Sequence, residues 1–305
     1  MGTGWRVERN GVTVSPGWAV PAAASLLALA WWAPSGLALL GFLAVVILTH
    51  EMGHLVVARR AGMRPTEYFW GFGPELVAVQ RGDCRYGVKV LFLGGYVKLE
   101  GMTPSSQVPA GFDESGTYRA AHPLGRLATI VAGPAVNLAL AAAAFSLAAA
   151  LEGASLGAAL AAGPGEVWYV ARGTALALWT WVSDLGDYVA AVLDLSGGTE
   201  APVRFLSPVG QARISGWAVG SGAAASLRWF GVLSCAVGVV NLLPLPPLDG
   251  SHALAAAVEA IATRLRPGRP VRLDVTRLVP LAYVTVGTLA LLSLSALVLD
   301  LRDLA

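Results

Sequence analysis

Residues 37–58 read LALLGFLAVVILTHEMGHLVVA, an apolar run that ends in a cluster of polar side chains. A helix needs about 20 apolar residues to cross a bilayer, so this run predicts a membrane span. His50, Glu51 and His54 interrupt it near one end. Ionisable groups within a span are energetically costly, and they more often mark a functional site than a structural one. This stretch therefore predicts a membrane protein whose chemistry lies at membrane depth.

The composition of the whole chain supports a membrane location. The 305 residues are 55% hydrophobic and 13% charged, whereas soluble domains carry about 25% charged residues. Disorder is excluded by the same numbers, and a net charge of +2 gives no reason to expect nucleic acid. The two cysteines, Cys84 and Cys235, lie in dissimilar surroundings and cannot build a disulfide framework or a thiolate metal cluster.

The apolar stretches predict an all-α polytopic membrane protein with about five transmembrane helices. Charged residues within 166–195 favour an interfacial helix there, because charges at membrane depth are costly. Residues 203–224, which carry two arginines and several glycines, favour an irregular or re-entrant piece. The five predicted spans are residues 18–32, 37–58, 126–151, 226–247 and 278–299.

The distribution of basic residues predicts the orientation of these spans. Lys and Arg cluster before the first span, in the loop after residue 58, and between the last two spans. With five spans all three clusters fall on one face, which the positive-inside rule places in the cytoplasm. We therefore expect a multi-pass protein of the cell membrane with a cytoplasmic N-terminus and two cytoplasmic basic loops, and residues 152–225 outside.

Residues 50–54 read HEMGH, an instance of the H-E-x-x-H pattern. Side chains four apart share one face of a helix, so His50 and His54 can reach a single metal ion. Glu51 can then act as general base on a water molecule beside the metal. A catalytic zinc site needs a third protein ligand, and Asp249 is the only acid between Arg228 and Glu259. Asp249 follows a proline-broken segment, and it could equally cap the helix that follows, or do both.

Residues 67–102 alternate bulky and small or polar side chains around a turn signal at 81–83, which predicts a β-hairpin. The hairpin could be a small membrane-associated sheet without a role. Alternatively, an exposed edge that includes Gly94, Gly95 and Tyr96 could bind an unwound substrate by strand addition.

Five motifs together resemble the site-2 protease family of intramembrane zinc metalloproteases, and its bacterial branch that cleaves anti-sigma factors in particular. They are HEMGH, GFGPEL at 71–76, GGYVKLEGM at 94–102, GPAVNL at 133–138 and LDG at 248–250, in that order.

The resemblance implies a Zn²⁺ ion held by His50, His54 and Asp249, with Glu51 as the catalytic base. It implies that Asn241 steadies the substrate or the oxyanion, and more weakly that Asn137 has a related substrate-binding role. It also implies single-span membrane proteins as substrates and the lipid bilayer as surroundings, with the oligomeric state left open.

The chain departs from the family pattern between the second and third core spans. A PDZ domain is usual there, but residues 152–203 show no run of alternating strands, so we expect none. The predicted organisation is an N-terminal segment with an extra helix (1–33), the first half of the catalytic core (34–151), an outward-facing segment in place of the PDZ domain (152–225) and the second half of the core (226–305).

A non-proteolytic protein is the alternative. In a metal-ion permease or a metal-bound binding scaffold, His50, His54 and Asp249 would form a transport or structural site. Glu51 discriminates between the two functions, because a transport site needs no base beside its ligands.

Overall fold

The computed structural model describes residues 7–9, 11–102, 107–194, 200–265 and 271–302. Its elements, in chain order, are the strands β1 (Val7–Arg9) and β2 (Val12–Val14), the helices α1 (Pro16–Trp32) and α2 (Pro34–Arg60), the strands β3 (Pro65–Arg81) and β4 (Cys84–Leu99), and the helices α3 (Pro123–Leu151), α4 (Leu156–Ser183), α5 (Leu185–Leu193), α6 (Pro208–Gly220), α7 (Ala223–Asn241), α8 (Asp249–Leu265) and α9 (Val279–Arg302).

Four helices, α2, α3, α7 and α9, are long and apolar enough to cross a membrane, and α1 is a shorter apolar helix. The chain is therefore a helical polytopic membrane protein with a small sheet, which confirms the predicted fold class. Helix α1 coincides with the predicted span 18–32, and its crossing stays a prediction.

Prolines set the ends of these helices. Ala33 alone separates α1 from α2, and Pro34 is the first residue of α2. Proline fits the first turn of a helix and disrupts its interior. Helix α7 stops at Asn241, six residues short of the predicted end of its span. Pro244, Pro246 and Pro247 follow and cannot continue the helix.

Helices α2, α3 and α7 form the packed centre of the protein. Small residues allow α2 and α3 to approach closely, since a Cβ at Gly53 would lie 2.7 Å from the backbone oxygen of Ala132. Helix α7 runs antiparallel along α3, and Ser234 Oγ donates a hydrogen bond to the Asn137 carbonyl at 2.8 Å. This packing holds α3 and α7 in place beside the polar end of α2.

The predicted hairpin is present as β3 and β4. Two further strands, β1 and β2, extend it into a sheet of order β1-β2-β3-β4. Sequence reasoning missed them because three residues are too few to show an alternating pattern. Residues 67–70 pair with 95–98 on one side and with 85–88 on the other, so the 95–99 stretch lies at the sheet's edge.

The segment between α3 and α7 differs from the prediction. The expected single helix at 166–195 is divided at Asp184, and its first part belongs to the longer α4. Helix α4 packs against α3 and α7 through Gly163 and Val167. The stretch expected to be irregular contains a regular helix, α6, which Ser207 caps by accepting a hydrogen bond from the Gly210 N–H. Whether α4 is interfacial and α6 re-entrant stays a prediction.

Candidate metal centre

The three predicted metal ligands meet at one point. His50 and His54 are buried one turn apart on α2, with their Nε2 atoms 3.1 Å from each other. Asp249, the first residue of α8, brings Oδ2 within 2.9 Å of His50 Nε2 and 3.3 Å of His54 Nε2. Two imidazoles and one carboxylate converge as the sequence predicted.

The break between α7 and α8 delivers the carboxylate. Gly250 packs so closely against the end of α7 that a Cβ there would overlap the carbonyl oxygens of Leu242 and Leu243. The absence of a side chain lets the chain fold back and places Asp249 opposite α2. Asp249 also lies in the first turn of α8, where negative charge is favourable, while its Oδ2 faces the two imidazoles. That it caps the helix stays a prediction.

One stripe of α3 supports both imidazoles from behind. Thr129, Gly133 and Asn137, spaced four residues apart, face His50 and His54. His54 Nδ1 donates a hydrogen bond to the Thr129 carbonyl at 2.7 Å, and the Asn137 amide lies 3.1 Å from His50 Nδ1. With both Nδ1 atoms engaged, both Nε2 atoms point to the shared position, an arrangement typical of metal-binding histidines.

Gly133 provides the space at this position. A Cβ there would overlap His54 Nε2 and lie 2.7 Å from His50 Nε2. The ligand atoms therefore occupy room that exists only because this residue of α3 has no side chain.

The orientation of the Asn137 amide determines whether it can accept a hydrogen bond from His50 Nδ1. Asn137 is completely buried, and its Oδ1 has no hydrogen-bond partner among the described residues. A half-turn of the amide would bring Oδ1 to His50 Nδ1. There it would accept the proton that an imidazole coordinating through Nε2 carries on Nδ1.

The donor set fits zinc. Bonds of about 2.0–2.1 Å in a tetrahedral site place neighbouring ligand atoms about 3.3 Å apart, and the three separations here are 2.9, 3.1 and 3.3 Å. A zinc ion held by these three residues would keep one further position for water or substrate, which is the pattern of catalytic zinc sites.

Glu51 lies beside this centre in a cleft of about 530 Å³. Its carboxylate takes a hydrogen bond from the backbone N–H of Val97, and a Cβ at Gly95 would lie 3.0 Å from its Cγ. The cleft is bordered by α2, α3, α7, the start of α8 and the edge stretch of β4. The predicted site residues that line it are His50, Glu51, His54, Gly94, Gly95, Tyr96, Asn241 and Asp249.

Asn137 and Tyr96, two of the predicted substrate-binding residues, differ in how they lie relative to the cleft. Asn137 is buried behind His50 and is not part of the cleft wall. The Tyr96 hydroxyl donates to Glu67 and accepts from Lys89 Nζ, and burial together with the Glu67 hydrogen bond raises the pKa of this phenol. The hydroxyl is thus held protonated and paired, which leaves the ring and backbone of Tyr96 to border the cleft.

Sequence reasoning missed the supporting contacts of Thr129, Gly133 and Val97. A backbone carbonyl or N–H has no residue signature, so Thr129 and Val97 gave no direct signal. The four-residue spacing of Thr129, Gly133 and Asn137 on a helix is the signal that could have found this stripe.

A model of peptidase family M50 matches residues 38–281 of the chain. The chain belongs to peptidase family M50. The matched range contains the three predicted ligands, the β-hairpin and Glu51, and the site-2 protease resemblance seen in the motifs is confirmed.

Curated relatives of this M50 protein carry zinc metalloprotease names. Zinc metalloprotease Rip1 of Mycobacterium tuberculosis is 42% identical over 32% of this chain and 24% of its own length. A putative zinc metalloprotease of Clostridium acetobutylicum is 36% identical over 39% of this chain and 33% of its own length. One from Brucella suis is 29% identical over 72% of this chain and 84% of its own length. The match to Rip1 thus spans about a quarter of that relative.

Proposed function

We propose that this M50 protein is an intramembrane zinc metalloendopeptidase that cleaves transmembrane segments of single-span membrane proteins. The observation that carries the proposal is the convergence of His50, His54 and Asp249 beside Glu51, in a cleft between membrane-length helices. Anti-sigma factors and signal-peptide remnants are substrates of the expected kind.

Each residue of the site has a separate role in the proposed hydrolysis. His50, His54 and Asp249 would hold zinc, which would supply a Lewis acid for the scissile carbonyl and for lowering the pKa of water. Glu51, next to the ligands, takes the proton from the attacking water and returns it to the leaving amine. Asn241 ends α7 at the same cleft, where its amide donates to the developing oxyanion. Asn137 positions His50 rather than contacting the substrate.

The edge stretch of β4 holds the substrate extended. The Val97 backbone N–H hydrogen-bonds to the Glu51 carboxylate. Backbone N–H groups two residues apart in a strand share a side, so the N–H of Gly95 faces the cleft as well. A substrate paired to this edge would present its backbone beside the catalytic base. Extension also exposes a peptide bond that a helix would shield.

A metal-ion permease with the same ligands is the contrasting function. Transport requires neither a base beside the ligands nor a strand edge at the site. The placement of Glu51 and Gly95 at the same cleft supports hydrolysis.

The test compares Glu51→Gln with Asp249→Ala in the purified full chain, using a fluorogenic single-span substrate and elemental analysis. We expect Glu51→Gln to keep about one zinc and to lose at least about 100-fold in cleavage rate, the usual contribution of a general base. Asp249→Ala should lose both zinc and cleavage.

Glu166→Gln is the matched control, because Glu166 is a half-exposed acid on α4 and should leave both readouts unchanged. Cleavage by Glu51→Gln at the wild-type rate would refute the peptidase. Zinc transport into vesicles that survives Glu51→Gln, without cleavage by either protein, would favour the permease.

A further inference from the structure

A second cavity of about 200 Å³ lies next to the catalytic cleft. It is formed by the N-terminal end of α3, the middle of α8 and the chain at 271–275. Met102 and His252 line both this cavity and the cleft, so the two are adjacent. In the part of the chain that the structure describes, the charged residues that line the second cavity are Arg119, Arg126, Glu259 and Arg272.

Arg126, which lines this cavity, has side-chain donors without partners. Its side chain is 3% exposed, and Nη1 lies 2.6 Å from Glu259 Oε2. Its Nε and Nη2 are buried without a hydrogen-bond partner among the described residues. These two atoms form one edge of the planar guanidinium, the edge that binds both oxygens of a carboxylate or phosphate.

Glu259 cannot satisfy this second edge. Its Oε2 already faces Arg126 Nη1, with Arg272 Nη1 at 3.5 Å. Its Oε1 accepts the backbone N–H of Leu273 at 2.6 Å. Buried donors without partners are costly, so the free edge of Arg126 calls for another acceptor.

The charge around the cavity also favours an anion. Among the described residues, three arginines and one glutamate line it, and Arg126 stands in the first turn of α3, where the helix dipole is positive. Burial raises the pKa of Tyr118 to about 12, so its hydroxyl adds no negative charge. Glu114, which pairs with Arg119, is exposed at the rim.

We propose that this cavity binds a carboxylate of the same peptide that occupies the catalytic cleft, and that Arg126 is the residue that recognises it. That a peptide occupies the cleft rests on the proposed function. The cavity adjoins the cleft through Met102 and His252, and this favours the same peptide as the source of the carboxylate. A peptide that follows the edge of β4 from Gly95 reaches Met102 after about four to seven residues. The cavity therefore selects an Asp or Glu at that distance from the cleaved bond.

The experiment measures peptide binding in Glu51→Gln protein, purified as the full chain in detergent. Labelled single-span peptides carry one Glu, moved residue by residue along each flank, and each has a Gln counterpart. We expect Glu to bind roughly tenfold tighter than Gln at one or two neighbouring positions, as a charge-assisted bidentate contact should give.

Variants assign this preference to Arg126. Arg126→Lys keeps the charge but lacks the two-donor edge, and it should abolish the preference. Because that change weakens the contact with buried Glu259, the paired variant Arg126→Gln with Glu259→Gln removes both charges together and should also abolish it. Arg228→Gln, at the opposite end of α3 and α7, is the matched control and should keep it. Thermal unfolding shows whether each variant is folded.

Three results would overturn the inference: equal binding of Glu and Gln peptides at every position, a preference that survives in folded Arg126 variants, or Arg126-dependent binding of inorganic phosphate or phosphatidylglycerol nanodiscs without a peptide preference. A Glu preference that depends on Arg126 in a protein that cleaves none of the peptides would support the cavity while refuting the proposed peptidase. The two failures are therefore distinguishable.

Discussion

At the scale of single residues, Gly133 shows how a position without a side chain determines a metal centre. The space that its missing Cβ leaves is where the Nε2 atoms of His50 and His54 meet. We expect Gly133→Ala to lose most of its zinc, at least about tenfold in affinity, which is the lower range for disturbing the support of metal ligands.

Elemental analysis and zinc titration of the purified protein measure this effect. Gly287→Ala is the control, because Gly287 lies within α9 and a Cβ added there would meet no heavy atom within 4 Å. Full zinc occupancy in a folded Gly133→Ala protein would show that α3 can move away, and that the close approach is not required.

The predicted metal ligands could be identified from the sequence, but the residues that hold them in place could not. His50, Glu51 and His54 follow from their spacing, and Asp249 from the lack of another acid nearby. The contact of His54 with the Thr129 carbonyl could not be predicted, because every residue has a carbonyl and only the packing of α2 on α3 selects one. The burial of Arg126 was hidden for a similar reason, since an arginine at a helix start resembles the other residues of a basic loop.

At the scale of elements, the edge of β4 is the feature that links the sheet to the chemistry. The hairpin was predictable from its alternating pattern and its turn. The double pairing of residues 67–70 was not, because it depends on how the long strands β3 and β4 bend across each other. That bend is what leaves 95–99 at the edge, beside Glu51.

A substrate paired with this edge should show a two-residue periodicity. We expect replacement of single substrate amides by esters, which removes one N–H at a time, to slow cleavage about 2- to 12-fold at alternate positions, the value of one hydrogen bond. The positions between them should be unaffected, because their N–H groups point away from β4.

Cleavage rates of an ester series along one single-span substrate provide the measurement. Esters far outside the paired stretch serve as controls for the chemistry of the substitution. A uniform effect, or one with a period near 3.6, would indicate that the substrate is bound as a helix and would contradict strand addition.

At the scale of the whole molecule, charge separates the two ends of the helix bundle. The two basic loops touch, since Arg272 Nη2 donates to the Arg119 carbonyl at 2.7 Å. At the opposite end an ion pair joins Glu152, just after α3, to Arg228 of α7. The two basic loops therefore lie at the same end of the bundle, and that this end faces the cytoplasm stays a prediction.

Helix α4 is the element on which the number of spans depends. Its 28 residues extend about 42 Å at 1.5 Å per residue, which is enough to cross a bilayer core of about 30 Å. It does not belong to the four helices of membrane-spanning hydropathy. If α4 crossed, another element would have to return the chain to the start of α7, and the 13 residues of α6 are too few for a full span.

We therefore expect residues before and after α4 to lie on the same side of the membrane. Single cysteines at Asp83, Ser155 and Glu200, introduced after replacement of Cys84 and Cys235 by alanine, test this with an impermeant maleimide added to intact cells. Ser155→Cys and Glu200→Cys should react from outside, and Asp83→Cys, in the turn of the hairpin, should react only after permeabilisation. Reaction at Ser155→Cys without reaction at Glu200→Cys would mean that α4 crosses. Reaction at Asp83→Cys alone would invert the orientation, because the basic loop would then be exported against the positive-inside rule.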